Sequence, residues 1–290
     1  MVMNTDDLII GWTKPASDSE EHRCDSTISS IQNCINSFDF GVLKKPHIQL
    51  RGSYLNNTNV KHDSDVDMYA LFSNYFYHYN VTGIVPATNV GPTYRQLKSI
   101  LATCLINKFG NDSVTIGNKS IKIKSNSYRV DADVVPVVNL TFYGNPNMGV
   151  SFYSENNKFI MNFPKQDYDN GCAKNTETNH QYKYYVRVFK RFRNMFTNQG
   201  IIRYKIPSYV IESLLYNIPN VLFLNNTPSR VVLRIVEYLK VTIDSSIFYE
   251  VNGIKQMFNP QEYHEQQTSR TEIKYFITAI ENYLMKEIAA

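Results

Sequence analysis

Three aspartates alternate with other residues in the stretch DSDVDMYALF, directly before an apolar run. They are Asp63, Asp65 and Asp67. Alternation is the period of a β-strand, so their side chains are expected to point to one face. Carboxylates that crowd together repel one another unless a cation lies among them. A hard divalent cation such as Mg²⁺ suits such a group, because it takes oxygen ligands and keeps room for phosphate oxygens and water.

Two other stretches extend this acidic motif into a possible site for phosphate chemistry. Asp133 lies in a second, Val-rich predicted strand, and the pair Gly52-Ser53 precedes the acids by a loop of about a dozen residues. Glycine lets backbone N–H groups approach a phosphate closely, and the serine hydroxyl adds a donor. Two cations held by such acids would activate an attacking hydroxyl and stabilise a leaving pyrophosphate.

The identity of the third acid stays open at this point. Asp131 shares the predicted face of Asp133 and is the alternative ligand, although the sequence DVVP favours Asp133. Asp63 is expected to lie where the chain is still turning, so it is interpreted as a supporting or solvated residue.

The elements that must position these residues change in character along the chain. Up to Pro164 the pattern predicts short strands with helices over 17–37 and 91–110, and a hairpin that turns at Gly117-Asn118. After Pro164, helical apolar spacing recurs in the stretches HQYKYYVRVFKRFRNMF, SYVIESLLYNI, SRVVLRIVEYLKVTI and RTEIKYFITAIENYLMKEI.

This order predicts an α+β protein with two lobes and an active-site cleft between them. Residues 1–164 would form an N-terminal helix and a catalytic core, and residues 165–290 a helical lobe. The boundary is soft over 164–178, and the N-terminal helix can span both lobes.

Composition and missing motifs remove several other classes of protein. The net charge of +4 over 290 residues suits anionic small molecules and is too weak to argue for nucleic-acid binding. The sequence lacks GxSxG, Walker and Rossmann glycine motifs, which argues against common hydrolases, P-loop enzymes and dehydrogenases. Without a signal peptide or a long apolar run, we expect a cytoplasmic protein with no membrane partner.

Longer blocks of sequence resemble a known superfamily. The pattern GSYLNNTNVKHDSDVDMYALF, followed by ADVVPVV, is similar to that of polymerase-β-type nucleotidyltransferases. Together with FPKQDYDNGCAKNTETNHQYKYYVRVFKRFRN, IPSYVIESLLYNIPN and FYEVNGIKQMF, it resembles bacterial cGAS/DncV-like nucleotidyltransferases, or CD-NTases. The resemblance covers roughly residues 45–285 and implies a polymerase-β-like sheet with flanking helices and a C-terminal helical lobe.

The resemblance implies roles for the residues of the strand-rich half. Asp65 and Asp67 would bind both metal ions, which would be Mg²⁺ or alternatively Mn²⁺. Asp133 would complete the metal site and help to activate the attacking hydroxyl. Gly52 and Ser53 would hold the donor triphosphate.

Three residues of the helical half are nucleotide-binding candidates by the same resemblance. Lys190, in VRVFKRF, and Ser208, in IPSY, would contact phosphates, and Lys174 lies in a segment that would shape the nucleotide pocket. Each also has an ordinary structural alternative. Lys190 would then belong to a solvated basic face, Ser208 would cap a helix, and Lys174-Asn175 would form a simple turn.

The implied activity is the joining of NTPs into a cyclic di- or trinucleotide with release of pyrophosphate. In anti-phage (CBASS-type) signalling, such a diffusible product would activate a separate effector, and a regulatory protein encoded nearby is an expected partner. The sequence does not require a nucleic-acid activator. Two alternatives remain: nucleotidyl transfer to a small molecule or a protein, and a non-catalytic module that binds nucleotide or RNA.

Overall fold

A computed structural model describes residues 4–60, 65–80, 83–85, 92–204, 206–259 and 268–289. The chain divides into two compact units. The sheet unit comprises Ala16–Leu55 and Lys61–Lys165, and the helical unit comprises Met1–Pro15, Asn56–Val60 and Gln166–Ala290. The break at 165–166 adjoins the boundary proposed from sequence. The grouping of residues 1–15 and 56–60 with the helices was not anticipated.

The described elements confirm the predicted α+β class. The helices are α1 Thr5–Trp12, α2 Asp18–Ser37, α3 Gly52–Leu55, α4 Tyr94–Phe109, α5 Pro164–Glu177, α6 Gln181–Asn198, α7 Ser208–Tyr216, α8 Pro228–Thr242 and α9 Arg270–Ala289. The strands are β1 His47–Arg51, β2 Val66–Asn80, β3 Gly83–Val85, β4 Val114–Ile116, β5 Ile121–Ile123, β6 Ala132–Phe142, β7 Asn145–Tyr153 and β8 Phe159–Asn162.

One mixed sheet forms the centre of the sheet unit. Its main path runs β1-β2-β6-β5-β4, with β3 paired to β2 and with β7 and β8 continuing from β6. Strands β2 and β6 are parallel, whereas β1 is antiparallel to β2 and β5 is antiparallel to β6. The two strands that carry the predicted acids are therefore direct neighbours at the centre of the sheet.

The two faces of this sheet have different surroundings. Val66, Met68 and Ala70 of β2 and Val134 of β6 belong to a buried core that includes apolar residues of α2 and α4. Residues at the alternate positions of the same strands point to the opposite face. The alternation that was read from the sequence thus separates a core face from a face available for chemistry.

The ends of α4 lie close to those that the sequence predicted. Thr93 caps the helix in a capping box, in which its hydroxyl accepts from the backbone N–H of Gln96 and its own N–H bonds the Gln96 side chain. Gly110 follows the last helical residue with a φ of 84°, a conformation that favours glycine.

Two local expectations need correction. Lys174 and Asn175, expected in a loop or a turn, lie inside α5. This helix begins at Pro164, a residue suited to a first helical position, but PKQDYDNGCAKNTE has little apolar periodicity, and only Gly171 and Lys174 are buried. Strand β2 also continues to Asn80, eight residues past the stretch DSDVDMYALF with which the sequence predicted it, because an irregularity after Leu71 lets its pairing with β6 resume at Phe76.

The helical unit has a large apolar core of its own. Side chains of α6, α7, α8 and α9 pack there with Ile9 of α1. The four helices predicted from residue 180 onward are confirmed, and each of their ends lies within two residues of the predicted one. Among the helices described, none combines the length and apolar character needed to cross a membrane.

Candidate active site

Asp67 and Asp133 lie side by side on the two central strands. They are paired positions in the parallel register of β2 and β6, and each is flanked along its strand by residues of the buried core. Both side chains therefore point to the face opposite α2 and α4, and neighbouring strands lie about 4.8 Å apart. Two carboxylates from separate strands meet on one partly exposed face.

The Gly52-Ser53 turn begins next to Asp67. Arg51, at the end of β1, pairs with Asp67 in the antiparallel register, and Gly52 follows it with a φ of 73°. A Cβ atom at position 52 would lie 2.3 Å from Asp67 Oδ2, so only glycine permits this approach. The helical turn that follows is anchored by the Tyr54 hydroxyl, which donates to Asp25 Oδ1 on α2 at 2.6 Å.

Polar and cationic side chains surround the two acids. The Ser120 hydroxyl donates to Asp133 Oδ1 at 3.1 Å, and Lys122 Nζ lies 3.9 Å from Asp133 Oδ2. The Arg51 guanidinium lies 4.6 Å from the ring centroid of Tyr69 and donates to its hydroxyl. Sequence reasoning missed all three donors. The alternation of Ser120 and Lys122 on the predicted hairpin strand is the signal that would have found two of them.

The other acids of the motif differ in their placement. Asp65 is exposed and lies one residue before β2 begins. The Asp131 carboxylate accepts from the backbone N–H of Ser125 at 2.6 Å and so orders the loop before β6, whereas Asp133 faces Asp67. This geometry favours Asp133 over Asp131 as the third acid. Asp63 and Ser64, which belong to the same motif, lie outside the described residues.

The carboxylates on this face suit a hard divalent cation whose remaining ligands come from the phosphates of the enzyme's substrate. Over the described ranges, no three His, Cys, Asp or Glu side chains gather as a ready metal-binding group. Asp67 and Asp133 nevertheless supply two adjacent carboxylates. Mg²⁺ is commonly bound by one or two carboxylates, with water and substrate phosphates completing the shell. Asp65, two residues before Asp67, is a further carboxylate near this pair in sequence.

The helical-unit candidates have environments that the sequence did not indicate. Lys190 is 1% exposed, and its ammonium donates to the backbone oxygen of Thr58 at 2.9 Å and to its hydroxyl at 3.1 Å. The solvated-face alternative for Lys190 is therefore wrong. Lys174 is 8% exposed, and its ammonium donates to the backbone oxygen of Ile218. Burial lowers the pKa of Lys174 to about 8.

Ser208 is the first residue of α7 rather than its cap, because the capping position is Pro207 and no side chain caps the helix. The Ser208 hydroxyl accepts from Arg193 Nη1 at 3.2 Å, and the side chain is half-buried. The helix-cap alternative for Ser208 is therefore wrong. The phosphate-binding roles of Lys174, Lys190 and Ser208 stay predictions.

A central sheet with paired acids beside a Gly-Ser turn, followed by a bundle of helices, characterises nucleotidyltransferases of the polymerase-β-like fold. The c-UMP-AMP synthase CdnE of Rhodothermus marinus, solved with Apcpp and Upnpp, superposes with a TM-score of 0.83. It is 27% identical, with 97% of this chain and 96% of that chain covered. This protein is therefore also a nucleotidyltransferase.

Sequence comparisons identify the family. Residues 169–285 match the cGAS/DncV-like nucleotidyltransferase C-terminal helical domain. The cyclic dipyrimidine nucleotide synthase CdnE of Legionella pneumophila is 35% identical over 95% of this chain and 96% of its own length. A cyclic dipurine nucleotide synthase of Elizabethkingia meningoseptica is 33% identical over 87% and 89%. The chain belongs to the bacterial cGAS/DncV-like nucleotidyltransferase family, and the resemblance read from its sequence is confirmed.

Proposed function

We propose that this enzyme joins two NTPs into a cyclic dinucleotide in two successive, metal-dependent transfers, each releasing pyrophosphate. The observation that carries the proposal is the register pairing of Asp67 with Asp133 beside the Gly52-Ser53 turn. It is supported by relatives of nearly full coverage that are cyclic dinucleotide synthases. A cyclic trinucleotide is the further product that the sequence left open.

The proposed chemistry assigns tasks to the acids and to the Gly52-Ser53 turn. Asp67 and Asp133, with Asp65, would hold Mg²⁺ or Mn²⁺, which would lower the pKa of the attacking hydroxyl and neutralise charge on the phosphates. Ser53 and the backbone N–H groups beside Gly52 bind the donor triphosphate. The ribose hydroxyl of the acceptor bonds to the α-phosphorus, pyrophosphate leaves, and the hydroxyl proton passes to an oxygen of Asp133.

Much of the rate would come from positioning. An intramolecular second transfer closes the ring, and aligned reactants avoid the entropy cost of a bimolecular encounter. The bound donor and acceptor must therefore present the hydroxyl in line with the leaving pyrophosphate. Ser120 contributes by holding one oxygen of Asp133 in a fixed direction.

The bases of the product are left to experiment. The relatives make dipyrimidine, dipurine and mixed UMP-AMP products at similar levels of identity to this chain. Base choice depends on which hydrogen bonds stay unpaired in the pocket, and segment 172–182 is our candidate for part of that pocket. A diffusible product acting on a separate effector, in anti-phage signalling, is the biological role proposed from the family resemblance.

The decisive experiment incubates purified protein with Mg²⁺ or Mn²⁺ and four radiolabelled NTPs, followed by phosphatase and chromatography. A phosphatase-resistant nucleotide that disappears with EDTA is expected, and a double variant with Asp65→Asn and Asp67→Asn should produce none while remaining folded. Full activity of that variant would reject the metal assignment. Label on the protein would redirect the function to protein modification.

A further inference from the structure

Residues 56–60, with the sequence NNTNV, form a connecting segment within the helical unit that is buried at every position except Asn57. Asn56, Thr58, Asn59 and Val60 are each at most 8% exposed. Connections usually run over the surface, where water satisfies their backbone groups. A buried connection needs protein partners for those groups, and here buried charged side chains provide them.

Two helices supply those charges. From α7, Glu212 accepts from Asn56 Nδ2 at 3.0 Å and from the Thr58 hydroxyl at 3.2 Å. From α6, Lys190 donates to the backbone oxygen and the hydroxyl of Thr58, and Arg187 donates to the backbone oxygen of Asn57. The Thr58 hydroxyl thus bridges a buried cation and a buried anion.

This arrangement is costly unless it is complete. Glu212 is 3% exposed, Lys190 is 1% exposed and Arg187 is 2% exposed. A buried charge is tolerated when hydrogen bonds and an opposite charge satisfy it, and removing one partner leaves the other uncompensated. Several hydrogen bonds to buried charges therefore fix the connecting segment, which is more than the closing of a loop requires.

The position of the segment in the chain provides that explanation. Asn56 follows α3 directly, and α3 begins with Gly52 and Ser53. Whatever fixes the backbone at Asn56 also limits how far the preceding turn can move. We infer that Lys190 and Glu212 are positioning residues, which fix residues 56–60 and through them the Gly52-Ser53 turn. The inference rests on the proposed function of that turn in binding a triphosphate.

This role for Lys190 differs from direct contact with phosphate, and the two make different predictions. If Lys190 acts through Thr58, the effects of Lys190→Met and Thr58→Val on binding of a non-hydrolysable analogue of an NTP that the wild type consumes will overlap. The double variant will then lose less affinity than the product of the single losses. If Lys190 contacts phosphate independently, the losses will multiply, which would overturn the inference for this lysine.

Two measurements test the segment itself. Glu212→Gln and Thr58→Val should each raise the KM for NTP about ten-fold, with a smaller change in kcat, because each removes a buried hydrogen bond to a charged group. Backbone amides of residues 53–60 should exchange hydrogen faster in both variants. Thr58→Ser, which keeps the hydroxyl, should restore affinity and slow exchange. Glu237→Gln, at an exposed position of α8, is the matched control.

The outcomes separate this inference from the proposed product. Unchanged exchange over residues 53–60 in folded Glu212→Gln protein would refute the inference, whatever the enzyme synthesises. Faster exchange with weaker analogue binding would support it even if the wild-type protein made no cyclic product. If Thr58→Val does not fold, the comparison of Glu212→Gln with Thr58→Ser still decides. Faster exchange with unaltered analogue affinity would reject the link to the triphosphate.

Discussion

The sheet unit and the helical unit use their charged side chains in different ways. Asp67 and Asp133 lie on a partly exposed face, and the Asp133 side chain is 30% exposed. In the helical unit, Lys174 and Lys190 are at most 8% exposed and donate to backbone oxygens of their own unit. Charges that are open to solvent are available to a ligand, whereas charges satisfied by the fold hold the chain in place.

Residue type and position in the family therefore do not by themselves separate a binding residue from a positioning residue. A buried lysine that gives up a backbone acceptor must regain an equivalent partner, so recruiting it to a phosphate has a structural cost. For Asp67 and Asp133 the balance differs, because both lie on a partly exposed face and a cation between them would relieve the repulsion of two adjacent carboxylates. Substitutions of the acids in the sheet unit should therefore remove contacts to a ligand, whereas substitutions of the buried lysines should release the chain that they hold in place.

The largest expected effect separates Asp133 from Asp131. Asp133→Asn should lower kcat by about 10³-fold or more, since it removes both a cation ligand and a proton acceptor. Asp131→Asn should change kcat by only a few-fold, because its side chain serves the loop at Ser125. Product formation from the four labelled NTPs, with circular dichroism to verify folding, makes the measurement. Equal losses in the two variants would assign the third acid to Asp131 or to both.

Gly52→Ala should produce the next largest loss. The new methyl group would have to displace the Asp67 carboxylate, which lies 2.3 Å from the position of its Cβ. We expect kcat/KM to fall about 10²-fold. The free energy of unfolding should also fall by about 1–2 kcal/mol, because alanine is disfavoured at a positive φ.

Gly41→Ala is the matched control for Gly52→Ala. Gly41 also has a positive φ, of 56°, but has nothing within 4 Å of an added Cβ. The two variants share the backbone cost, so their difference in activity isolates the contact with Asp67. Similar activities in the two alanine variants would show that the close approach of Gly52 to Asp67 is unimportant.

The parts of this comparison that sequence could predict depend on local patterns. Alternating Asp65 and Asp67 before an apolar run, and Asp133 in a Val-rich run, predicted two strands whose acids share a face. The sequence pattern did not determine the order or the register of the two strands. It therefore did not predict that they are parallel neighbours in which Asp67 pairs with Asp133. Helix α4 was predictable because its apolar spacing and both ends carry recognisable signals.

The parts that could not be predicted depend on distant partners. Lys190 lies in VRVFKRF, where a buried lysine and an exposed lysine look alike, and its partner Thr58 is 132 residues away. Helix α5 was missed because its length of 14 residues carries few apolar positions, so periodicity gave no signal. Long-range contacts of this kind appear only when the fold is known.

A pH experiment tests whether the buried charges of the helical unit affect stability. Burial, with a smaller contribution from Glu250 and Glu212, raises the pKa of the Asp167 carboxyl from 3.8 to about 7, although a hydrogen bond from Tyr209 at 2.6 Å opposes part of this rise. Between about pH 4 and pH 7 the folded protein therefore holds a proton that the unfolded chain releases. The stability contributed by this group is present at low pH and is lost as pH rises through that range.

Asp167→Asn should remove that dependence. The variant keeps an oxygen acceptor for Tyr209 and needs no proton, so its Tm should fall less than that of the wild type between pH 5 and pH 8. Glu237→Gln, on the exposed surface of α8, serves as the control and should follow the wild type. Parallel Tm curves for wild type and Asp167→Asn would show that this carboxyl does not control stability near neutral pH.

Ser208 should show the smallest effect, and it tests the boundary between the two kinds of residue. Its hydroxyl accepts from Arg193, which also donates to the backbone oxygen of Ile206 at 2.7 Å, so the guanidinium keeps a partner in Ser208→Ala. The free energy of unfolding should therefore fall by no more than about 1 kcal/mol.

The proton of the Ser208 hydroxyl is not used in the contact with Arg193 and can be given to a phosphate. If it is, Ser208→Ala will raise the KM for NTP about three- to ten-fold at constant kcat, as expected for uniform binding. A reduced Tm with unchanged KM would instead place Ser208 with the positioning residues of the helical unit.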